Sequence, residues 1–183
     1  MSHVKTNVLD RGLISVFFIV LGLWTTSALA QSRPPTPYYD RGACPFECCT
    51  YRQWTVDKAT TVRASMRDSS AVAFRLRKGE KVRGLTGVVI TTQAGIANVV
   101  KPVEDSTWRI PAGERVYLLT NQGEGYVKVW YKGRIFSDEV LNTELFRIEQ
   151  QPRSVWWVKV RNSRGKVGWS RQPENFGNMD ECG

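Results

Sequence analysis

The chain has 183 residues, 42% hydrophobic and 11% aromatic, and 26 Lys and Arg against 17 Asp and Glu give it a net charge of +9. Its one histidine is His3, so no Ser-His-Asp or Cys-His nucleophile and no His-bearing hydrolytic zinc site can be built from residues beyond it. No phosphate-cradling glycine motif and no calcium-loop spacing occurs, and the expectation is a protein that is not an enzyme and uses no cofactor.

Residues 1–30 have the layout of a secretory signal peptide. Lys5 and Arg11 precede the apolar run from Gly12 to Trp24, and Ser27-Ala28-Leu29-Ala30 supplies a small-x-small cleavage pattern. The run has 13 residues, short of the roughly 20 needed to span a bilayer; it would serve as an uncleaved anchor only if Thr25 to Ala30 were buried as well. With cleavage after Ala30, no transmembrane anchor is expected, and the location is periplasmic or secreted.

Residues 31–53 hold a Pro-rich leader, "QSRPPTPYYD", and then Cys44, Cys48 and Cys49; Cys182 stands alone in the tail, 177–183. Thiols outside the cytoplasm are normally oxidised, and four cysteines allow three pairings. A bond between adjacent Cys48 and Cys49 would be strained, which leaves Cys44 with one of them and Cys182 with the other. The alternatives are four thiolates on a structural zinc, for which the paired Cys-x2-Cys knuckles are missing, and a redox centre, for which Cys-x-x-Cys is missing. The expected metal set is therefore none.

From Trp54 onward, short Val/Ile/Thr/Tyr/Trp runs are cut by glycine-containing turns, as in a small β barrel. "SDEVLNTELFRIE", Ser137 to Glu149, is the one candidate for a helical turn, and it suits a loop leading into a strand equally well. In "SVWWVKVRNSRGKVGWS", Trp156, Val158 and Val160 are expected to face a core and Lys159 and Arg161 to be wet. In "GEGYVKVWYKGRIF", Val127, Val129 and Tyr131 form one face and Tyr126, Lys128 and Trp130 the other. Tyr126–Val129 echoes Trp157–Val160 at an offset of 31, and "KGEKV" at Lys78 echoes "AGERV" at Ala112 at an offset of 34. One type of β unit is thus expected to be used twice. The acidic pairs Glu104-Asp105 and Asp138-Glu139 are poor acid/base dyads, because neighbours on a strand point to opposite faces.

Val62-Arg63, "RKGEKV" at Arg77 to Val82, Trp157-Val-Lys-Val160 and Gly165-Lys-Val-Gly-Trp169 together resemble the bacterial Src-homology-3-type domain of exported proteins (SH3b-like). The resemblance implies an all-β fold of small SH3-like antiparallel barrels. About seventy residues separate the two halves of the motif, which a domain of roughly 60 residues does not accommodate. Two barrels in tandem, 54–105 and 107–176, are expected; the alternative is one barrel with a large β insertion. The resemblance also implies a non-catalytic binding module of the bacterial envelope, contacting cell-wall material or a peptide. Tyr126, Trp130 and Trp157 would supply contact area, and Lys128 and Lys159 would favour anionic ligands. The alternatives are a structural accessory subunit of an envelope complex and a thiol redox or metal-binding protein. The basic balance suits an anionic surface, whereas export argues against nucleic acid as a partner.

Overall fold

The computed structural model describes residues 32–104, 108–140 and 142–182, so the expected signal peptide and Asp105 lie outside the described residues. Among the described residues, glycine-punctuated runs of β-branched and aromatic residues become fifteen strands of two to 13 residues. They are β1 (Tyr38–Arg41), β2 (Gln53–Val56), β3 (Thr60–Arg63), β4 (Val72–Leu76) and β5 (Lys81–Gln93). Then come β6 (Gly95–Val99), β7 (Val103–Glu104), β8 (Arg109–Ile110), β9 (Arg115–Gly123), β10 (Tyr126–Tyr131), β11 (Arg134–Glu139) and β12 (Phe146–Gln150). Last are β13 (Arg153–Asn162), β14 (Val167–Ser170) and β15 (Phe176–Gly177), the last preceded by a 3-10 turn at Pro173–Asn175. Among its described residues, the segment from Ser137 to Glu149 ends β11, turns at Val140 and again at residues 143–145, and enters β12 at Phe146.

The protein is all-β, antiparallel and barrel-like. A curled eight-stranded sheet has the order β15-β2-β5-β13-β14-β3-β4, with β1 also paired to β5; a five-stranded sheet runs β11-β10-β9-β6-β12; β7 and β8 pair separately. The sheets do not follow a division of the chain at 105/107. β5 pairs along its length with β13, from Val82↔Asn162 to Gln93↔Arg153, and the intervening strands β6 to β12 form the second sheet. Val62-Arg63, Arg77 to Val82, Trp157 to Val160 and Gly165 to Trp169 are thereby brought into one sheet, although the chain between them makes another.

The two sheets repeat one design, with the second nested inside the first. Read in parallel, β15-β2-β5-β13-β14 and β12-β6-β9-β10-β11 have the same order, and the β3–β4 pair corresponds to β7–β8. The registers agree residue by residue. Phe176↔Val56 matches Phe146↔Val99, Trp54↔Val82 matches Ala97↔Val116, and Thr60↔Leu76 matches Val103↔Ile110. The loops agree too. Glu80 N–H donates to Arg77 O and Val56 N–H to Glu80 O, as Glu114 N–H donates to Pro111 O and Val99 N–H to Glu114 O. Gly79 and Gly113 occupy the left-handed region at φ 87° and 84°, where glycine is favoured. The echo between "KGEKV" and "AGERV" is therefore one turn built twice. Nesting happens at the tip of a hairpin: the second unit closes β9 to β10 through Gly123–Gly125, and the first opens the corresponding β5–β13 connection to admit the whole second unit.

Each unit buries its own core. In the first, Trp54, Val56, Val62, Leu76, Val82, Val158, Val160 and Phe176 pack together. In the second, the matching positions are Ala97, Val99, Ile110, Val116, Val127, Val129 and Phe146, with Leu118 added. The exchange is compensated in volume. Trp54 faces Gly84, where an added Cβ would lie 2.6 Å from the indole; the counterparts are the small Ala97 and the large Leu118.

Candidate ligand groove at the disulfide loop

Both disulfides sit on the segment ahead of β2. Cys44 bonds Cys49 across five residues, and Cys48 bonds Cys182 across 134. The pairing left open by the sequence is thus resolved, and cystines of this kind fit an oxidising compartment. The tail is also held by hydrogen bonds: Thr50 N–H donates to Met179 O, Glu181 N–H to Cys48 O, and the Arg52 guanidinium to Asn178 and Asp180. Glu47 lies within 4.8 Å of the Cys48 and Cys182 sulfurs, but sulfurs joined in a disulfide are not the thiolates a metal requires.

The loop is fixed from below as well. Phe46 meets Trp156 edge-on, with ring centroids 5.9 Å apart, and Tyr51 Oη donates to Ala43 O. Burial pushes the Tyr51 hydroxyl from 10.0 up to about 12; the Trp156 indole beside it pulls the other way, and the charge of Asp40 adds to the rise. A raised pKa means that this contribution to stability is complete below about pH 10 and is lost as pH climbs through about 12. Urea midpoints are therefore expected to stay level up to pH 10 and fall above it. Tyr51→Phe makes that alkaline slope shallower, leaving the part due to Tyr38, and costs about 1–2 kcal/mol at pH 8, because Ala43 O loses its donor. A slope as steep in the variant as in the wild type would contradict the assignment to Tyr51.

The loop lies against the hairpin of the second unit. At Gly123, φ 100°, a Cβ would come 2.5 Å from Glu47 N, so the two backbones touch. Glu47 and Glu124 face each other there, and the hydrogen bond to Glu124, then its charge, then burial hold Glu47 above the usual carboxylate range. Lys128 Nζ reaches 2.8 Å to the buried carboxylate of Asp40, tying β10 to β1. Thr91 Oγ1 donates to Leu119 O, tying β5 to β9 at 2.8 Å. Burial first, and then the Asp40 charge, push Tyr38 upward, with Lys128 opposing.

Between loop and hairpin is a groove of about 260 Å³. Pro45 and Phe46 form one wall, Leu118, Val127 and Ile148 the floor, and Asn121, Gln151 and Tyr126 the rim. Tyr126, 44% exposed, also borders a shallower hollow of about 410 Å³ that passes Cys48, Cys49 and Ser137. An apolar floor with amide and phenol groups at the edge suits one side chain or one sugar ring, oriented by few polar contacts.

The five residues expected to contact ligand do not converge. Trp130 is 4% exposed and packs edge-on against Tyr117. Trp157 is 5% exposed, at the edge of a polar cleft of about 540 Å³ shared with Arg63, Arg171 and Glu174. Buried indoles give packing rather than a platform. Lys128 is engaged by Asp40, and Lys159 lies over the Trp169 ring, 5.5 Å from its centroid. Trp169 itself is half-buried on the outer face. Only Tyr126 of the five lines the groove. It is the counterpart of Trp157 in the repeat, and it is exposed because it stands at a closed hairpin tip where Trp157 is followed and preceded by strand. Phe46, Leu118 and Ile148 were not singled out from the sequence; the bracketing of Phe46 by Cys44 and Cys48 was the available signal. No protein-family model matches the chain, and neither a curated protein nor a solved structure is significantly similar to it.

Proposed function

We propose that this chain is an exported, non-catalytic binding module of a bacterial envelope, which takes a short peptide or glycan segment of cell-wall material into the groove beside Tyr126. The observation that carries the reading is the groove itself: an apolar floor, an exposed phenol at its edge, and a wall held in place by two disulfides. A wall fixed in advance loses little conformational freedom on binding. The signal-peptide layout of residues 1–30 and the resemblance to exported SH3-type domains support the same reading. The protein should sediment with purified peptidoglycan at moderate salt. Tyr126→Ala should lower retention by about tenfold or more, the equivalent of about 1.4 kcal/mol, with an unchanged melting temperature because Tyr126 is exposed. Equal retention of wild type and variant, or no retention of either, would overturn the proposal.

A further inference from the structure

The outer face of the eight-stranded sheet carries an array of cations whose placement the registers fix. Lys159 pairs with Trp169 and Trp169 with Arg63; Arg161 pairs with Val167 on one side and Arg83 on the other; Thr61 pairs with Arg75. Opposed residues of neighbouring antiparallel strands point to the same side, and the other side of these strands is the buried one, with Val62, Val158 and Val160. Arg63, Arg75, Arg83, Lys159 and Arg161 therefore share one face.

The fold does not require charge there. The counterparts of Arg83 and Arg161 in the second unit are Tyr117 and Trp130, which make an aromatic contact at 5.6 Å in the same register. Arg83 and Arg161 oppose each other directly, and like charges so placed are destabilising. Among the described residues, no carboxylate forms an ion pair with Arg75, Arg83, Lys159 or Arg161. Apolar groups alternate with the cations: Val72, opposite Arg63, and Val167, opposite Arg161, are 42% and 41% exposed, and Trp169 lies between them.

We propose that this face docks on an anionic phospholipid bilayer. A polyanionic chain would be matched by cations strung along a groove, whereas these are spread in two dimensions over four strands, as lipid headgroups are. Exposed valines and an indole among the cations suit an interface whose outer layer is charged and whose inner layer is hydrocarbon. Bound phosphates also relieve the repulsion between Arg83 and Arg161. The face lies apart from the groove, and neither proposal depends on the other.

The test uses the protein without residues 1–30, whose apolar run would itself bind lipid, and circular dichroism checks that the shortened chain is folded. Vesicles of phosphatidylcholine with about 30 mol% phosphatidylglycerol should pellet it at about 50 mM salt, pure phosphatidylcholine should not, and about 0.5 M salt should release it. Arg83→Gln with Arg161→Gln should weaken partitioning by about 25-fold, at about fivefold per cation, with an equal or higher melting temperature. Arg75→Gln with Lys159→Gln is a second pair that reads the same face should the first not fold. Lys101→Gln with Lys132→Gln removes the same charge from the second unit and should leave partitioning unchanged. Absence of wild-type pelleting, equal weakening by all the pairs, or binding to soluble polyphosphate without binding to vesicles would overturn the proposal.

Discussion

Replacing Cys48 and Cys182 together by serine is expected to lower the stability of the fold by about 5 kcal/mol, and replacing Cys44 and Cys49 by about 2 kcal/mol. The difference arises in the unfolded chain. A bond across 134 residues removes far more freedom from the unfolded ensemble than one across five. In the folded state the tail is already placed by backbone hydrogen bonds to Thr50 and Cys48 and by the Cys49↔Asp180 bridge, so the native structure of the variant should persist. Urea unfolding of both variants beside the wild type checks this. About 5 kcal/mol is a large share of the 5–15 kcal/mol typical of a domain, so the long-range variant should be partly unfolded at modest denaturant. Equal losses in the two variants would mean that the long bond does not act through the unfolded state. The short bond has a different consequence: it shapes the wall of the groove, so its loss should weaken ligand retention more than stability.

Trp54→Ala should cost about 3–5 kcal/mol, as expected for a fully buried indole. Gly84→Leu should be at least as damaging, since a Cβ alone already lies 2.6 Å from the ring of Trp54, which is fully buried. The double variant, Trp54→Ala with Gly84→Leu, installs the pair that the second unit uses, Ala97 with Leu118. It should recover a substantial part of the loss, so that the two changes are strongly non-additive. Thermal and urea unfolding of the two single variants and the double variant form the cycle. A double variant no better than the sum of the singles would show that the two units do not share one packing solution, and it would weaken the correspondence drawn between them.

That correspondence was partly legible in the sequence. "KGEKV" and "AGERV" repeat because both must turn through a left-handed glycine and return a valine to a core. Tyr126–Val129 and Trp157–Val160 repeat because both are central strands that alternate core and surface. What the echoes could not convey was nesting. Similarity at an offset of 31 or 34 residues reads naturally as two units in tandem, because pairing between residues 82 and 162 leaves no local trace. The candidate site fared less well for a related reason. Alternation places Trp130 and Trp157 on the face shared with lysines, but it does not say whether that face is covered. Trp130 is covered by Tyr117, and Lys128 is claimed by Asp40, a residue 88 positions earlier. Such pairings depend on distant segments meeting, and no window of sequence contains both partners.

Strands and turns are legible in the chain alone, as is the grouping of three of its four cysteines within six residues. These rest on local properties: period-two alternation, glycines where φ must be positive, and cysteines that lie close together in the chain. Only the folded chain shows which cysteine bonds which, that one unit is threaded into the hairpin of the other, which aromatic rings stay exposed, and that five cations share one surface. Each of these is a relation between residues far apart along the chain. The nesting in particular is fixed by the pairing of β5 with β13, which closes the first sheet around the strands between them.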